Sequence, residues 1–358
     1  MSSGRPAAVV ILAAGQGTRM HSATPKVLHS LCGRTLLGHA IAAARGLRPE
    51  YVVVVVRHER DAVAAHALEC DPDVIIADQD AIMGTGRAVW CGLQELPASL
   101  SGSVTVMAGD TPLLDTQTLS HLNERHDSNA VTVLTTNVSD PTGYGRILRD
   151  NTGSICGVVE HKDADPAQRA ITEINTSTYS FDLEFLRSAL ENLSSSNAQG
   201  ELYLTDVVEQ AYSSGSGVGD YVVSDSWLVE GCNDLVQLAA LRHEMNKRIL
   251  DAWMRSGVSI VDPVTTTVDV DVTLEPDSCI LPGTQLHGHT DVRAQAVVGP
   301  GEFTDTVVGA RAVACHVVAR GGAIPAGTTL PPFTIFPVEQ GTAGSTDALG
   351  GIPAGQHH

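Results

Sequence analysis

Apolar residues form short unbroken runs in the first part of the chain, with glycine or polar residues between them. Runs of this length are typical of parallel strands that are buried on both faces. They cover Ala7 to Ala13, Tyr51 to Val56, Val74 to Ala77, Val104 to Met107 and Ala130 to Thr136. The segments between them, such as Leu36 to Ala44 and Arg87 to Leu93, repeat apolar residues at helical spacing. This alternation predicts an α/β fold with a mostly parallel sheet, in which ligands bind beyond the carboxyl ends of the strands.

The pattern changes after Asn233. Apolar residues then recur every three or four positions through a charged background, and the pattern ends at Gly257. They are Leu235, Leu238, Leu241, Met245, Ile249 and Ala252. The spacing predicts one long amphipathic connecting helix over residues 233–256.

A six-residue period follows the predicted helix. Its first apolar positions are Val268, Leu274, Ile280, Leu286, Val292 and Val298, and the spacing resumes at Ala312, Val318, Ile324, Leu330 and Phe336. A hexapeptide repeat of aliphatic residues predicts a parallel β-helix over residues 257–336. The remaining segment, 337–358, is rich in Gly, Ser and Ala, and its composition predicts a disordered tail.

Length and charge narrow the possible function classes. A chain of 358 residues exceeds the roughly 250–300 residues at which single cores stop growing, so we expect more than one domain. The net charge of -19 argues against nucleic-acid partners and an anionic membrane surface. Residues 1–60 nevertheless carry eight Lys/Arg against two Asp/Glu, so an anion would be bound near the N-terminal end.

Seven cysteines are scattered along the chain, and no two form a CxxC pair. This spacing argues against a disulfide framework or a zinc knuckle. The N-terminus does not have the pattern of a signal peptide, and no apolar run approaches the roughly 18 residues of a membrane span. We therefore expect a reduced cytoplasmic protein that does not cross a membrane.

The first apolar run leads into the turn GQGTRM. A dinucleotide fingerprint would need a third glycine at Met20, and a Walker A loop would need GK followed by Ser or Thr. The remaining interpretations are a tight turn or a phosphate-binding loop. In the second case Gly15 and Gly17 would let the backbone approach the phosphate, and Arg19 and Lys26 would neutralise its charge.

The longer stretch LAAGQGTRMHSATPKVLHSLCGR resembles the signature of the sugar-1-phosphate nucleotidyltransferases. Further stretches extend the resemblance, in order, to the bacterial N-acetylglucosamine-1-phosphate uridyltransferases: ADQDAIMGTGRAV, VMAGDTPLL, DPTGYGRILRD, VVEHKDA, EINTSTYSFD, NAQGELYLTDVV and VEGCND. The resemblance runs from Ala8 to Thr334. It implies a Rossmann-like domain over residues 1–232, a connecting helix over 233–256 and a left-handed β-helix over 257–336, through which the protein would form a homotrimer.

The resemblance also implies the role of each site residue. Transfer of UMP from UTP to N-acetylglucosamine-1-phosphate would depend on Mg²⁺ held by Asp110 and Asn233. Arg19 and Lys26 would be catalytic and would bind the triphosphate. The nucleotide would contact Leu12, Ala14, Gly15, Gln79, Gly84 and Thr85, of which the last three would recognise uracil. The sugar pocket would be formed by Gly145, Glu160, Asn175 and Thr205.

Simpler structural roles remain open for several of these residues. Asp110 follows a strand and could be a turn or helix-capping residue, and Asn233 could be the N-cap of the helix that follows it. Glu160 and Lys162 could be solvated surface charges. His287 and His289 are expected to be exposed side chains of the β-helix and not metal ligands.

Two functional alternatives also remain open. One is a related nucleotidyltransferase that uses another nucleotide or sugar phosphate. The other is a non-catalytic regulatory subunit with the same fold.

The sequence departs from the family pattern at three places. Ala108 stands where the family usually has a larger residue, and Ser177 stands where it usually has glycine, so we expect the sugar contacts to differ. Family members continue beyond the stretch LPPFT with coils that carry an acetyl-transfer site. Here Thr334 is followed by Ile335, Phe336 and the predicted tail, so we expect no acetyl transfer from acetyl-CoA to glucosamine-1-phosphate.

Overall fold

The computed structural model describes residues 4–336. The chain divides into two compact units, Met1–Arg248 and Ile249–His358. The predicted disordered tail, residues 337–358, lies outside the described residues.

The first unit is an α/β domain with the predicted alternation of strands and helices. Its strands are β1 (Ala8–Leu12), β2 (Ser30–Leu31), β3 (Arg34–Thr35), β4 (Tyr51–Val56), β5 (Ile75–Asp78), β6 (Ser103–Ala108), β7 (Val131–Asn137), β8 (Arg146–Arg149), β9 (Ile155–Val159), β10 (Glu173–Asp182) and β11 (Val218–Val223). Its helices are α1 (Leu36–Gly46), α2 (Arg60–Cys70), α3 (Thr85–Gln94), α4 (Thr116–Glu124), α5 (Pro166–Arg169), α6 (Leu183–Glu191) and α7 (Asp206–Ser213). The long helix α8 (Leu235–Arg255) contains the boundary between the two units.

The central sheet has the strand order β11-β7-β10-β6-β1-β4-β5 within the described residues. The pairs β6–β1, β1–β4, β4–β5 and β7–β11 are parallel, whereas β10 is antiparallel to both β6 and β7. The hairpin β8–β9 joins the sheet through β10. The sheet therefore confirms the predicted α/β fold with a mostly parallel sheet.

Alternate side chains along the central strands pack on opposite faces of the sheet. Val10 and Val53 belong to the core under α3, α6 and α7, whereas Val9 and Val52 belong to the core under α1, α2 and α4. Burial on both faces explains why these strands appear in the sequence as continuous apolar runs. No helix within residues 4–336 is long and apolar enough to cross a membrane.

Strand β10 was missed by the sequence analysis because many of its buried side chains are polar. Ser180 is completely buried, and its hydroxyl donates to Asn123 Oδ1 at 2.9 Å. The hydroxyl of Thr105 on the neighbouring strand β6 donates to the same oxygen at 3.0 Å. Hydrogen bonding removes the penalty for burying these hydroxyls, so the strand does not need an apolar sequence.

The second unit contains stacked parallel strands consistent with the predicted left-handed β-helix. Its strands are β12 (Ser259–Ile260), β13 (Thr267–Val268), β14 (Thr273–Leu274), β15 (Cys279–Ile280), β16 (Thr284–His287), β17 (Asp291–Val292), β18 (Val297–Val298), β19 (Gly301–Thr304), β20 (Val307–Val308), β21 (Val313–Ala314), β22 (Val317–Arg320), β23 (Ala323–Ile324), β24 (Thr329–Leu330) and β25 (Ile335–Phe336). They form three sheets, β12-β15-β18-β21-β24, β13-β16-β19-β22-β25 and β14-β17-β20-β23.

The predicted six-residue phase is correct up to Val298 and wrong for part of the second run. In the second run Val318 is half-buried, and Ala312 is buried but lies outside the strands. The fully buried strand positions are instead Phe303, Val308, Ala314 and Ala319. Strand partners are eighteen residues apart in the first coils, as for Ile280 and Val298, but sixteen apart for Val298 and Ala314. Because these later coils are two residues shorter, a strict period of six loses the phase.

Phe303→Ala is expected to destabilise the β-helix by about 3–5 kcal/mol, because it leaves a cavity at a completely buried position. The matched control is Phe333→Ala, whose side chain is 84% exposed and should contribute within about 1 kcal/mol. Urea unfolding followed by circular dichroism measures both changes. Equal losses for the two variants would contradict the inward placement of Phe303.

Candidate active site

The glycine turn after β1 brings its backbone against Lys26. Gly17 has a φ of +62°, and a Cβ at this position would lie 2.6 Å from Lys26 Cβ. Only glycine fits this left-handed conformation and close approach without strain. Gly15, by contrast, has open space around it and faces a cavity. The two glycines therefore differ in role. Gly17 allows the tight turn, whereas Gly15 leaves the cavity next to the turn open.

Four predicted site residues, distant in the sequence, meet in one polar cluster. The Lys26 ammonium donates to Asp110 Oδ2 and lies 3.5 Å from Asn233 Oδ1. The Arg19 guanidinium donates to the same Asn233 oxygen at 2.7 Å. The Lys26 and Asp110 side chains are only 14% and 18% exposed, so their attraction is screened less than that of a surface pair. The cluster thus combines two cations with two oxygen ligands.

Backbone contacts hold the two oxygen ligands in this arrangement. The Asp110 carbonyl accepts from the backbone N–H of Cys232 at 3.0 Å, which ties the loop after β6 to the segment before α8. Cys232 is completely buried, and this burial raises the pKa of its thiol to about 11, so the thiol stays neutral at pH 7. The cluster therefore gains no charge from this cysteine.

The capping roles considered for Asp110 and Asn233 are wrong. Asp234 caps α8, because its Oδ1 accepts from the backbone N–H of Gln237 at 2.8 Å. Asp115 caps α4 in the same way, through the backbone N–H of Thr118. Because neighbouring residues cap these helices, the side chains of Asp110 and Asn233 are free to face the two cations.

All six predicted nucleotide-binding residues line one cavity of about 580 Å³. They are Leu12, Ala14, Gly15, Gln79, Gly84 and Thr85. The carboxyl ends of β1, β4 and β5 all contribute to this cavity, as expected for a mostly parallel sheet. The structure therefore gathers these residues where a ligand of this fold would bind.

The loop between β5 and α3 carries Gln79 and Gly84, leads into Thr85, and is held from two sides. On its inner side Gln79 Nε2 donates to the carbonyls of Ile82 and Gly84, at 3.0 and 3.2 Å. On its outer side the backbone of Leu202 packs so closely that a Cβ on Gly84 would lie 2.2 Å from its carbonyl oxygen. Gly84 also has a φ of +119°, so this position requires glycine.

The four predicted sugar-binding residues also converge. The Gly145 carbonyl accepts from the backbone N–H of Asn175 at 2.9 Å, and the Thr205 hydroxyl lies 3.4 Å from Glu160 Oε1. Burial raises the pKa of Glu160, so this carboxylate is not the solvated surface charge considered from the sequence. An amide, a hydroxyl and a carboxylate close together are groups that can bond to a polyhydroxylated ligand.

The two departures from the family pattern lie at the cavity lined by the predicted nucleotide-binding residues. Ala108 and Ser177 both line it, and the backbone N–H of Ser177 also lies 3.3 Å from Asn175 Oδ1. Ser177 has a φ of +58° within the irregular part of β10, a conformation that favours glycine. The serine therefore places a side chain on a strained backbone position, at the cavity and next to Asn175.

The oxygen atoms of the cluster fit a hard divalent cation. Asp110 supplies a carboxylate and Asn233 an amide oxygen, which are ligand types that Mg²⁺ accepts when phosphates and waters complete its shell. In residues 4–336 no group of three or more His, Cys, Asp or Glu could hold a metal without such help. His287 Nδ1 lies 3.1 Å from Asp269 Oδ2.

Asp206 lies beside Thr205 at the start of α7 and was not singled out from the sequence. Burial and the nearby carboxylates of Glu209 and Asp163 raise its pKa to about 6. Its sequence signal is only an ordinary acidic residue in the first turn of a helix.

Arg57 also lines the cavity of the six predicted nucleotide-binding residues, which we call the nucleotide-side cavity, and it was not predicted from the sequence. It directly follows the apolar run that forms β4, so a search of the residue after each predicted strand would have found it.

The chain resembles known proteins over most of its length. Residues 9–169 match the model of the MobA-like NTP transferase domain. The chain is 51% identical over 334 residues to the bifunctional protein GlmU of Paenarthrobacter aurescens, which covers 92% of this chain and 67% of that relative. It is 50% identical to the bifunctional protein GlmU of Mycolicibacterium vanbaalenii over 354 residues, or 96% and 72% of the two chains. It is also 50% identical to the bifunctional protein GlmU of Streptomyces coelicolor, over 93% of this chain and 70% of that relative.

Asp206→Asn is expected to stabilise the protein at pH 7 to 8, with the gain disappearing below about pH 4. The raised pKa means that the folded state binds the Asp206 proton more tightly than the unfolded state does. The wild-type protein therefore loses stability as the pH rises through about 6, and the neutral amide avoids this loss. Urea midpoints of the two proteins across pH 4 to 8 measure the difference. A difference that does not change with pH would contradict the assignment.

Proposed function

Because this chain belongs to the family of bifunctional GlmU proteins, we propose that it transfers UMP from UTP to N-acetylglucosamine-1-phosphate in a Mg²⁺-dependent reaction. The products are UDP-N-acetylglucosamine, a precursor for cell-wall synthesis, and pyrophosphate. The observation that carries the proposal is the convergence of Arg19, Lys26, Asp110 and Asn233. Two cations and two oxygen ligands in one cluster suit a reaction between two phosphate-bearing reactants.

Uracil recognition is assigned to the loop between β5 and α3. Gln79 uses its Nε2 to hold the loop, and no residue in 4–336 donates to its Oε1. That oxygen can accept the N3–H of uracil, while Gly84 and Thr85 line the same cavity. A cytosine ring has no N–H at the equivalent position, so this arrangement favours uracil.

The triphosphate is assigned to the cation side of the site. Arg19 now contacts Asn233, and Lys26 contacts Asp110. When UTP binds, these two cations would exchange those contacts for contacts with the phosphates, which carry more negative charge. Asp110 and Asn233 would then hold Mg²⁺, which when bound neutralises phosphate charge. The amides of the Gly15–Gly17 turn add donors that need no reorganisation.

The sugar phosphate needs no general base. Its second pKa is about 6, so at neutral pH one phosphate oxygen is already an anionic nucleophile. That oxygen forms a new bond to the α-phosphorus of UTP, and the bond from this phosphorus to the bridging oxygen breaks. The electron pair leaves with pyrophosphate. Lys26 and Arg19 lower the barrier by offsetting the repulsion between the two anions.

The sugar is assigned to Gly145, Glu160, Asn175 and Thr205. The amide of Asn175 and the hydroxyl of Thr205 are almost completely buried, so they offer hydrogen bonds of fixed direction to the sugar. Glu160 can accept from a sugar hydroxyl. Ser177 contacts Asn175, and Ala108 and Ser177 both line the cavity of the predicted nucleotide-binding residues, so we expect the sugar preference to depend on them.

The assembly, compartment and second activity belong to the proposal as well. A homotrimer through the β-helix is supported by family membership, and light scattering would measure its mass. A cytoplasmic setting is supported by the seven cysteines, none of which forms a disulfide within residues 4–336. The expected absence of acetyl transfer stays a prediction for the 358-residue polypeptide, and release of free coenzyme A dependent on glucosamine-1-phosphate would contradict it.

A pyrophosphate-release assay tests the reaction directly. With UTP, N-acetylglucosamine-1-phosphate and Mg²⁺ we expect steady turnover, which stops when EDTA removes the metal and resumes when Mg²⁺ is restored. Replacing UTP by CTP, ATP, GTP or dTTP should lower kcat/KM by at least about 100-fold. Higher activity with another nucleotide would indicate a related nucleotidyltransferase, and binding of UTP without turnover would indicate a regulatory subunit.

Lys26→Ala is expected to lower kcat by roughly 10²- to 10³-fold, because it removes one preorganised cation from the transition state. Asp110→Ala should abolish activity together with the response to Mg²⁺. Unchanged thermal unfolding would show that both variants are folded. Wild-type turnover in folded Lys26→Ala would remove this residue from the catalytic cluster, and full activity of Asp110→Ala would remove it from the metal site.

A further inference from the structure

Arg57 is a cation in the nucleotide-side cavity to which neither the family resemblance nor the proposed function gives a role. It directly follows β4, and its side chain lines the same cavity as Leu12, Gln79 and Gly84. The residue is half-buried, so its guanidinium is neither fully solvated nor enclosed. Its position raises the question of what this charge binds.

The protein itself satisfies only part of the Arg57 side chain. One terminal nitrogen contacts Met83 Sδ, and the other lies 3.5 Å from the Ala81 carbonyl oxygen. Within residues 4–336 no carboxylate forms an ion pair with Arg57. Asp80 is near enough to be influenced by its charge, but a forked contact from Arg87 already engages the Asp80 carboxylate. Because a guanidinium has five N–H donors, Arg57 retains donors for a ligand.

The neighbouring Arg60 shows what a purely structural arginine does here. Its Nε and Nη2 donate to the two carboxylate oxygens of Asp78, at 2.8 and 3.2 Å, and it does not line the cavity. The two arginines are three residues apart and carry the same charge. Only Arg57 combines cavity exposure with the lack of a carboxylate partner.

The strand order indicates which part of a nucleotide Arg57 faces. Along the carboxyl edge of the sheet, β6, β1, β4 and β5 lead in turn to Asp110, Gly15, Arg57 and Gln79. The phosphates are assigned to the side of Asp110 and the base to the side of Gln79. Arg57 comes after the glycine turn in this order. It contacts Ala81 and Met83 of the loop between β5 and α3, to which uracil recognition is assigned.

We propose that Arg57 is a nucleotide-binding residue that donates a hydrogen bond to a carbonyl oxygen of the uracil ring. The inference rests on the proposed function, since it takes UTP as the ligand. Uracil presents two carbonyl oxygens, and a charged donor in a partly buried cavity binds such acceptors more strongly than a neutral donor does. Its contacts with Ala81 and Met83 fix the guanidinium beside the loop that carries Gln79.

Steady-state kinetics of Arg57→Ala test the inference. We expect the KM for UTP to rise about 10-fold, while kcat stays within about 2-fold and the KM for the sugar phosphate is unchanged. Arg57→Lys should restore part of the affinity, because an ammonium keeps a charged donor but loses the fork. The control is Arg60→Ala, which removes the same charge nearby and should leave all three constants as in the wild type.

Competitive inhibition identifies the part of the nucleotide that Arg57 binds. UMP should inhibit Arg57→Ala about 10-fold less well than it inhibits the wild type. Ribose 5-phosphate and inorganic tripolyphosphate, which lack the base, should inhibit both proteins equally. Weaker inhibition by tripolyphosphate or ribose 5-phosphate in the variant would overturn the base contact, and an unchanged inhibition constant for UMP would do the same.

The outcome can be separated from that of the proposed reaction. If the wild-type protein does not turn over UTP, the proposed function fails whatever Arg57 does. If the wild type is active and folded Arg57→Ala has the same KM for UTP, only this inference fails.

Discussion

The first unit depends on bringing two cations, one carboxylate and one amide from three separate segments of the chain into one cluster. Lys26 and Arg19 lie on the turn after β1, Asp110 follows β6, and Asn233 precedes α8. The attraction between Lys26 and Asp110 is screened less than that of a surface pair because both side chains are largely buried. The backbone bond between Cys232 and Asp110 and the cap supplied by Asp234 keep these side chains pointed at one another. In the proposed reaction the same charges would be redistributed to phosphates and a metal ion.

The parallel strands give this cluster its neighbours in a fixed order. Because β6, β1, β4 and β5 end at the same edge, the residues after them form a line from Asp110 to Gln79. An extended nucleotide fits such a line, with its phosphates and base at opposite ends. Gly17 and Gly84 allow neighbouring segments to pack closely at this edge, since at both positions a Cβ would clash with the neighbouring segment. Arg57 occupies the remaining place along this edge.

The second unit follows a different constraint, in which each coil must cover the apolar side chains of the coil before it. Phe303, Val308 and Ala314 keep this stacking although the coils shorten from eighteen to sixteen residues. The stacking of buried strand positions is therefore kept from coil to coil, although the number of residues per coil changes. A buried strand position needs only a partner in the adjacent coil.

The sequence by itself determined the α/β alternation, the long helix, most of the β-helix positions and the candidate residues of the site. These features follow from local periodicity and from short motifs, which depend on residues close together in the chain. It missed β10, whose buried Ser180 hydroxyl bonds to Asn123, and it left the capping roles of Asp110 and Asn233 open. Only the tertiary structure decided that Asp115 and Asp234 are the caps, that Asp110 and Asn233 face two cations, and that Arg57 lines the cavity without a carboxylate partner among residues 4–336. The physical reason is that hydrogen bonds and ion pairs between distant segments have no periodic signature, so they are fixed only when the sheet brings the segments together.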